Sequence, residues 1–158
     1  MIRRERPEDG PTLRGLLIRA FDGPAEADLV DRLRADGDAV IALVADRGGV
    51  CGHVLLSRMA APLPALALAP LAVAPECQRQ GIGAALVRAA LEAAAEGGWR
   101  AVFVLGDPAY YGRFGFDPAC AAGFDSPYAG PYLMALPLGG PLPVQGGPIR
   151  HAPAFAAI

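Results

Sequence analysis

The stretch Leu71 to Leu91, "LAVAPECQRQGIGAALVRAAL", decides how this chain is read. An apolar, strand-like run stops at Pro75, a polar link follows, and Gly81-Ile82-Gly83 then opens an alanine-rich helix. A helix start carries unpaired N–H groups and the positive end of the helix dipole, so a glycine turn placed there is built for an anion. Which anion it holds is the question the rest of the sequence has to answer.

Three phosphate readings compete for it. A Walker A loop fails because the chain contains no lysine. The dinucleotide fingerprint fits better: strand, Gly81-x-Gly83, helix, strand and then Asp107 follow in roughly the required order. Against it, Leu86 stands where the third glycine should allow close helix packing. The link "PECQRQ" is also too long for a tight turn, and too little chain follows Asp107 for further βα units. The third reading takes Gln78-Arg79-Gln80-Gly81-Ile82-Gly83 as Q-x-x-G-x-G, a pyrophosphate cradle of the acyl-coenzyme A kind. Glycine at 81 and 83 removes the Cβ atoms that would keep phosphate oxygens away.

Outward from that stretch, Ile2 to Arg6 reads as a short strand ended by Pro7, and residues 7–21 as a helix with Leu13, Leu16, Leu17 and Ala20 on one side. A second helix is expected over Ala25 to Ala35, closed by Gly37. "AVIALVAD" and "GVCGHVLLS" flank Arg47-Gly48-Gly49 as a hairpin. "LALAPLAVA" is the next strand, and its internal Pro70 cannot donate to a ladder, so it marks a bulge or an edge. Gly81 to Gly97 is a helix whose wet stripe is Arg88, Glu92 and Glu96. Trp99 to Leu105 is a strand, "DPAYYGRFGF" a short helix started by Asp107 and Pro108, and "GPYLMALPL" a last strand. The final residues show too little periodicity to place.

Composition narrows the class. At 158 residues and 53% apolar the chain can bury a single core (1–158, with about 137–158 a Pro/Gly-rich extension) and is not disordered. No apolar run is long enough for a membrane span, and "MIRRERPEDG" lacks the apolar segment of a secretory signal. A net charge of −2 gives no footprint for nucleic acid. Cys51, Cys77 and Cys120 lack C-x-x-C spacing, so neither a disulfide framework nor a metal site is expected, and reduced thiols point to a cytoplasmic protein. Abundant Ala, Gly, Pro and Arg, with neither Lys nor Asn, suggest a GC-rich bacterial gene.

The quoted stretch resembles the acetyl-CoA motif of the GNAT superfamily of N-acetyltransferases. "YYGRFGF" resembles that superfamily's later Y-x-x-x-G-F helix, with Tyr111, Gly115 and Phe116 on the matching positions. "VLGDPAYYGRFGF" followed by "GPYLMALPL" is further similar to a branch of bacterial N-acetyltransferases with a C-terminal extension. The resemblance covers roughly residues 1 to 136 and implies an α/β (α+β) fold. Its central sheet is mixed but mostly antiparallel, splayed between the fourth and fifth strands and flanked by helices. Leu71, Ala72 and Val73 then offer backbone groups to the pantetheine arm and acetyl carbonyl, with Pro70 helping the strand to open. Arg79, Gln80, Gly81, Ile82, Gly83 and Ala84 bind pyrophosphate through main chain, with Gln78 orienting the loop. Tyr111 is the general acid that protonates the departing thiolate, since a phenol near pKa 10 can serve a thiolate of about 8.5.

Two departures from the family pattern leave roles open. Gly106-Asp107-Pro108 replaces an Asn before the Tyr helix, and "WRAVFVL" lacks the catalytic Glu of some relatives. His53 is therefore the first candidate for a general base, ahead of Glu76, Glu26 and Asp38, while His151 cannot be placed. The acid-rich run "DGPAEADLVDRLRADGD" fits a cationic amine acceptor, or simply a solvated helix face. The expected activity is acetyl transfer from acetyl-CoA to a primary amine in a ternary complex, by a protein that pairs as a homodimer in some relatives. A non-catalytic acyl-CoA sensor and a dinucleotide-binding enzyme stay open beside it.

Overall fold

The computed structural model describes residues 1–157. Strand β1 (Ile2–Arg4) leads through a 3-10 turn at Pro7–Asp9 into α1 (Gly10–Phe21) and α2 (Ala25–Ala35). The expected hairpin follows as β2 (Ala39–Asp46) and β3 (Val50–Arg58), and then β4 (Ala65–Val73). A 3-10 turn at Pro75–Cys77 precedes α3 (Ile82–Glu96), then β5 (Ala101–Leu105) and α4 (Pro108–Tyr111). The chain ends with α5 (Pro118–Ala121), β6 (Phe124–Asp125), β7 (Leu133–Pro137), β8 (Gly147–Pro148) and a 3-10 turn at Pro153–Ala157.

Six strands form one sheet in the order β1-β2-β3-β4-β5-β7. Every pairing in it is antiparallel except β4–β5, which is parallel. A doubly wound dinucleotide fold needs successive parallel βαβ units, so that reading is set aside. β4 and β5 meet only at Ala65, Leu66 and Ala67, opposite Ala101, Val102 and Phe103. Beyond Ala67 the two strands diverge, and β4 runs on to Val73 paired only with β3. Pro70 sits where the β3–β4 register slips by one residue, between the pairs Val54–Leu71 and Leu56–Leu68. The proline is thus the bulge its missing N–H demands.

Strand alternation assigns the faces. Gly52 on β3 lies against Ile82 and Leu86 of α3, where an added Cβ would stand 2.9 Å from Leu86 Cδ1. The neighbouring His53 therefore points to the opposite face, towards α1 and α2. The wet stripe of α3 is exposed as expected, while Ile82, Leu86, Val87, Ala90 and Ala94 are buried. On β5, Val102 and Val104 join the main core, whereas Ala101 and Phe103 face a second, smaller one with Phe124, Leu133 and Ile149. Phe103 meets Phe124 edge to face at 5.3 Å.

Several boundaries differ from the sequence reading. β1 stops at Arg4 and β5 starts at Ala101 rather than Trp99, because Trp99 N–H instead closes α3 on the carbonyl of Ala94. The Tyr helix is a single α-turn that tightens to 3-10 at Gly112–Phe114 and ends on Gly115 at φ 103°. The unplaced tail folds back onto both cores, with Ile149 in the second and Ala152, Ala154 and Phe155 in the main one. β8 pairs with β6, and Arg150 and Ala60 exchange backbone hydrogen bonds of 3.0 and 2.8 Å.

Candidate active site

The link before α3 is a set of turns rather than a tight bend. Arg79 (φ 63°) and Gly81 (φ 79°) are both left-handed, and no side chain caps the first turn of α3. The amides of that turn are therefore left for an anion. Gln78 Nε2 donates to the carbonyl of Val73 at 3.2 Å, and Arg47 donates to Gln80 Oε1 at 2.6 Å, so the loop is tethered at both ends. The two glycines serve differently. Gly81 supplies the backbone conformation with open space around it, whereas a Cβ at Gly83 would stand 2.9 Å from the hydroxyl of Tyr110. At Gly83 the loop, Val73 and Tyr110 converge. The open space at Gly81 and the uncapped first turn of α3 fit a pyrophosphate.

α4 places the two tyrosines on opposite sides of the splay. Asp107 caps it, accepting from Ala109 N–H at 2.9 Å, and fixes where the turn begins. Tyr110 faces the α3 side under the guanidinium of Arg113, 4.4 Å from its ring centroid. Tyr111 packs edge-on against Tyr110 and Phe116 at 4.9 and 5.9 Å. Gly106 makes room for it, since a Cβ there would lie 2.6 Å from the Tyr111 ring.

Tyr111 opens into a cavity of about 420 Å³ at the divergence of the sheet. Leu68, Pro70 and Leu71 of β4 and Leu105 of β5 form its floor. Phe21, Glu26 and Leu29 close one side, and Tyr128, His151 and Phe155 the other. Burial, followed by the neighbouring Tyr110, pushes the Tyr111 phenol up to about 12, so it keeps its proton across the neutral range. Burial lowers the pKa of His151 below its ordinary value, and its Nδ1 is sealed off without a partner. A larger, open cavity of about 610 Å³ adjoins across Tyr128, His151 and Phe155 but reaches neither β4 nor Tyr111. The smaller one borders both β4 and Tyr111.

Residues 11–116 match the family model described as "Acetyltransferase (GNAT) family". The chain belongs to the GNAT family. It is 44% identical over 124 residues to "Uncharacterized N-acetyltransferase YhbS" of Escherichia coli (strain K12), covering 75% of this chain and 74% of that protein. The crystal structure of YhbS from Escherichia coli in complex with CoA superposes with a TM-score of 0.91 at 36% identity, over 99% of this chain and 91% of that one. A GNAT family acetyltransferase from Brucella melitensis in complex with acetyl-CoA gives 0.84 at 32%, over 98% and 97%. The splayed mixed sheet is the GNAT fold, and the chain is an acyltransferase of the N-acetyltransferase type.

Within that GNAT frame the structure gathers most of the sequence-derived residues. Leu71, Ala72 and Val73 form the end of β4 that has parted from β5 and pairs only with β3, Gln78 to Ala84 form the loop and first turn of α3, and Tyr111 lies across the splay. His53 is not among them. It is fully buried on the α1/α2 face, with Nε2 2.9 Å from Glu5 Oε1, which also accepts from Arg34 at 2.7 Å. Burial would raise the pKa of Glu5, but the His53 and Arg34 hydrogen bonds outweigh it and hold the carboxyl at about 2. His53 lines neither cavity, because strand alternation aims it at α2 while the splay opens at the far edge of β4. Glu76 is exposed and paired with Arg19 at 2.8 Å. The sequence reading could not place His151 and gave Tyr110 no role, yet His151 lines the cavity and Tyr110 meets Gly83. The tail bearing His151 has no period, and Tyr110 shows its place only once Gly83 is seen beneath it.

Proposed function

We propose that this protein transfers the acetyl group of acetyl-CoA to a primary amine by direct attack in a ternary complex, with the pyrophosphate on the Gln78–Ala84 loop and the acceptor in the cavity at the splay. The observation that carries this reading is that Tyr111 and the run Leu68–Leu71, where β4 has parted from β5, line one cavity that Phe21 of α1 and Glu26 and Leu29 of α2 border. A thioester laid along β4 from the loop would bring its carbonyl to that run. A backbone N–H of Leu71 or Val73, which alternation turns away from β3, would stabilise the tetrahedral oxyanion.

The acceptor sheds one proton as its ammonium becomes the free amine, and the amine adds to the thioester carbonyl to form the C–N bond; the oxyanion then collapses and the C–S bond breaks. Tyr111 donates its hydroxyl proton to the leaving sulfur and regains one from solvent, and the nitrogen loses its second proton as the amide forms. Although burial raises the phenol's pKa, a thiolate formed in the same pocket is desolvated too, so their relative acidity stays near the solution difference of about 1.5 units. His151 is the neutral imidazole at the cavity and takes the proton from the acceptor. Its sealed Nδ1 makes the charged ring costly, so the proton passes on to solvent.

Thiol release from acetyl-CoA across a panel of primary amines tests the reading, alongside thermal stabilisation by coenzyme A and by NAD. Release on at least one amine, with stabilisation by coenzyme A alone, is expected. Stabilisation by coenzyme A without release on any acceptor would instead make the protein an acyl-CoA sensor.

A further inference from the structure

The cavity beside Tyr111 holds more information about the acceptor than its position. Of the residues around it, Glu26 alone bears a formal charge at neutral pH. The other acids of the α2 segment are otherwise engaged. Asp28 and Asp31 bind Arg14 at 2.8 and 2.9 Å, and Asp36 binds Arg32 at 3.2 Å. Glu26 has no arginine partner among the described residues. It stands three positions before Leu29, so the two share the face of α2 turned to the cavity. Opposite them is an aromatic wall. His151 lies edge-on between Tyr128 and Phe155, with centroids 5.0 and 5.1 Å away, and Phe21 adds a further ring at the mouth.

We infer that the acceptor is a primary monoamine carried on an apolar, ring-sized body, its ammonium received by Glu26 and its body by Leu29, Tyr128 and Phe155. The inference rests on the acetyl-transfer reading above and specifies its substrate class. One carboxylate in an otherwise uncharged cavity can balance one ammonium group. A second or third cationic centre on the same molecule would have to leave water with no partner, a cost that excludes it. The neutral state of His151 supports the same count, because no fixed positive charge in the cavity opposes the incoming ammonium. The walls act in the same direction. Leu29, Leu68, Leu71 and Phe155 offer few polar contacts to a hydroxyl-rich body.

The test is steady-state thiol release with saturating acetyl-CoA and four acceptors: phenethylamine, hexylamine, spermidine and kanamycin. The two monoamines should exceed spermidine and kanamycin in kcat/KM by about tenfold or more, and Glu26→Gln should raise the KM for phenethylamine about 10- to 100-fold. The acetyl-CoA KM should stay in place, and Glu26→Asp should recover part of the loss. A preference for spermidine or kanamycin overturns the inference while leaving acetyl transfer intact. So does a Glu26→Gln enzyme whose phenethylamine KM moves less than about twofold. Absence of thiol release on all four and on the wider amine panel, with coenzyme A still bound, overturns the acetyl-transfer reading instead.

Discussion

Replacing Tyr111 by Phe removes one hydroxyl and leaves the ring in a hole shaped for it. The Phe ring keeps the edge contacts with Tyr110 and Phe116 and the space provided by Gly106. The hydroxyl has no protein hydrogen bond feeding its pKa, only burial and a neighbouring phenol, so its removal breaks no structural bond. The loss therefore falls on the leaving sulfur. A positioned acid contributes about 10²- to 10⁴-fold, or about 3–5 kcal/mol of barrier. Thiol-release kinetics should show kcat down by about 10²-fold or more, with the acetyl-CoA KM within about twofold. The acid acts while protonated, so its contribution is present at neutral pH and is lost only as pH rises towards about 12. The deficit of Tyr111→Phe should accordingly be uniform from pH 6 to 10. A kcat within about threefold of the parent enzyme would refute the assignment.

Gly83→Ala drives a methyl to within 2.9 Å of the Tyr110 hydroxyl and should raise the acetyl-CoA KM by about tenfold, with Tyr110→Phe in the same chain recovering much of it. Glu5→Gln should lower stability in urea melts at pH 7 by on the order of 3 kcal/mol, because the folded carboxyl sits at about 2. That contribution is fully present above the ordinary carboxylate value and fades as pH falls towards about 2, so parent and variant melts should converge in acid. Phe103→Ala empties the second core and should cost about 3–5 kcal/mol, read from the same melts.

The donor half of the site was legible because its chemistry is written in local order. The quoted strand, link, glycine pair and helix lie within one stretch, and under the proposed function backbone groups would do the binding, so local spacing carries the signal. Pro70 was legible for the same reason, since a missing N–H inside a strand has few places to go. His53 shows where this stops. A histidine on a hairpin strand near the motif looks available in sequence, but a one-residue alternation turns it to α2, where Glu5 and Arg34 wait from distant parts of the chain. The cavity proposed for the acceptor is assembled from α1, α2, Tyr128 and the tail, which only the tertiary fold brings together. The short elements α5, β6 and β8 rest on an Asp117 cap and a few pairings within a Pro/Gly-rich run, too little to leave a period.

The paired backbone bonds between Arg150 and Ala60 fix the residue just before His151. Main-chain pairing of this kind is blind to side-chain identity, so position 151 keeps its place at the cavity wall whatever residue occupies it. Under the proposed function, the group that takes the acceptor's proton is thus set by main-chain pairing rather than by the packing of its own ring. Substitutions at Leu29 or Leu68 could then retune the acceptor while His151 and the donor loop stay in place.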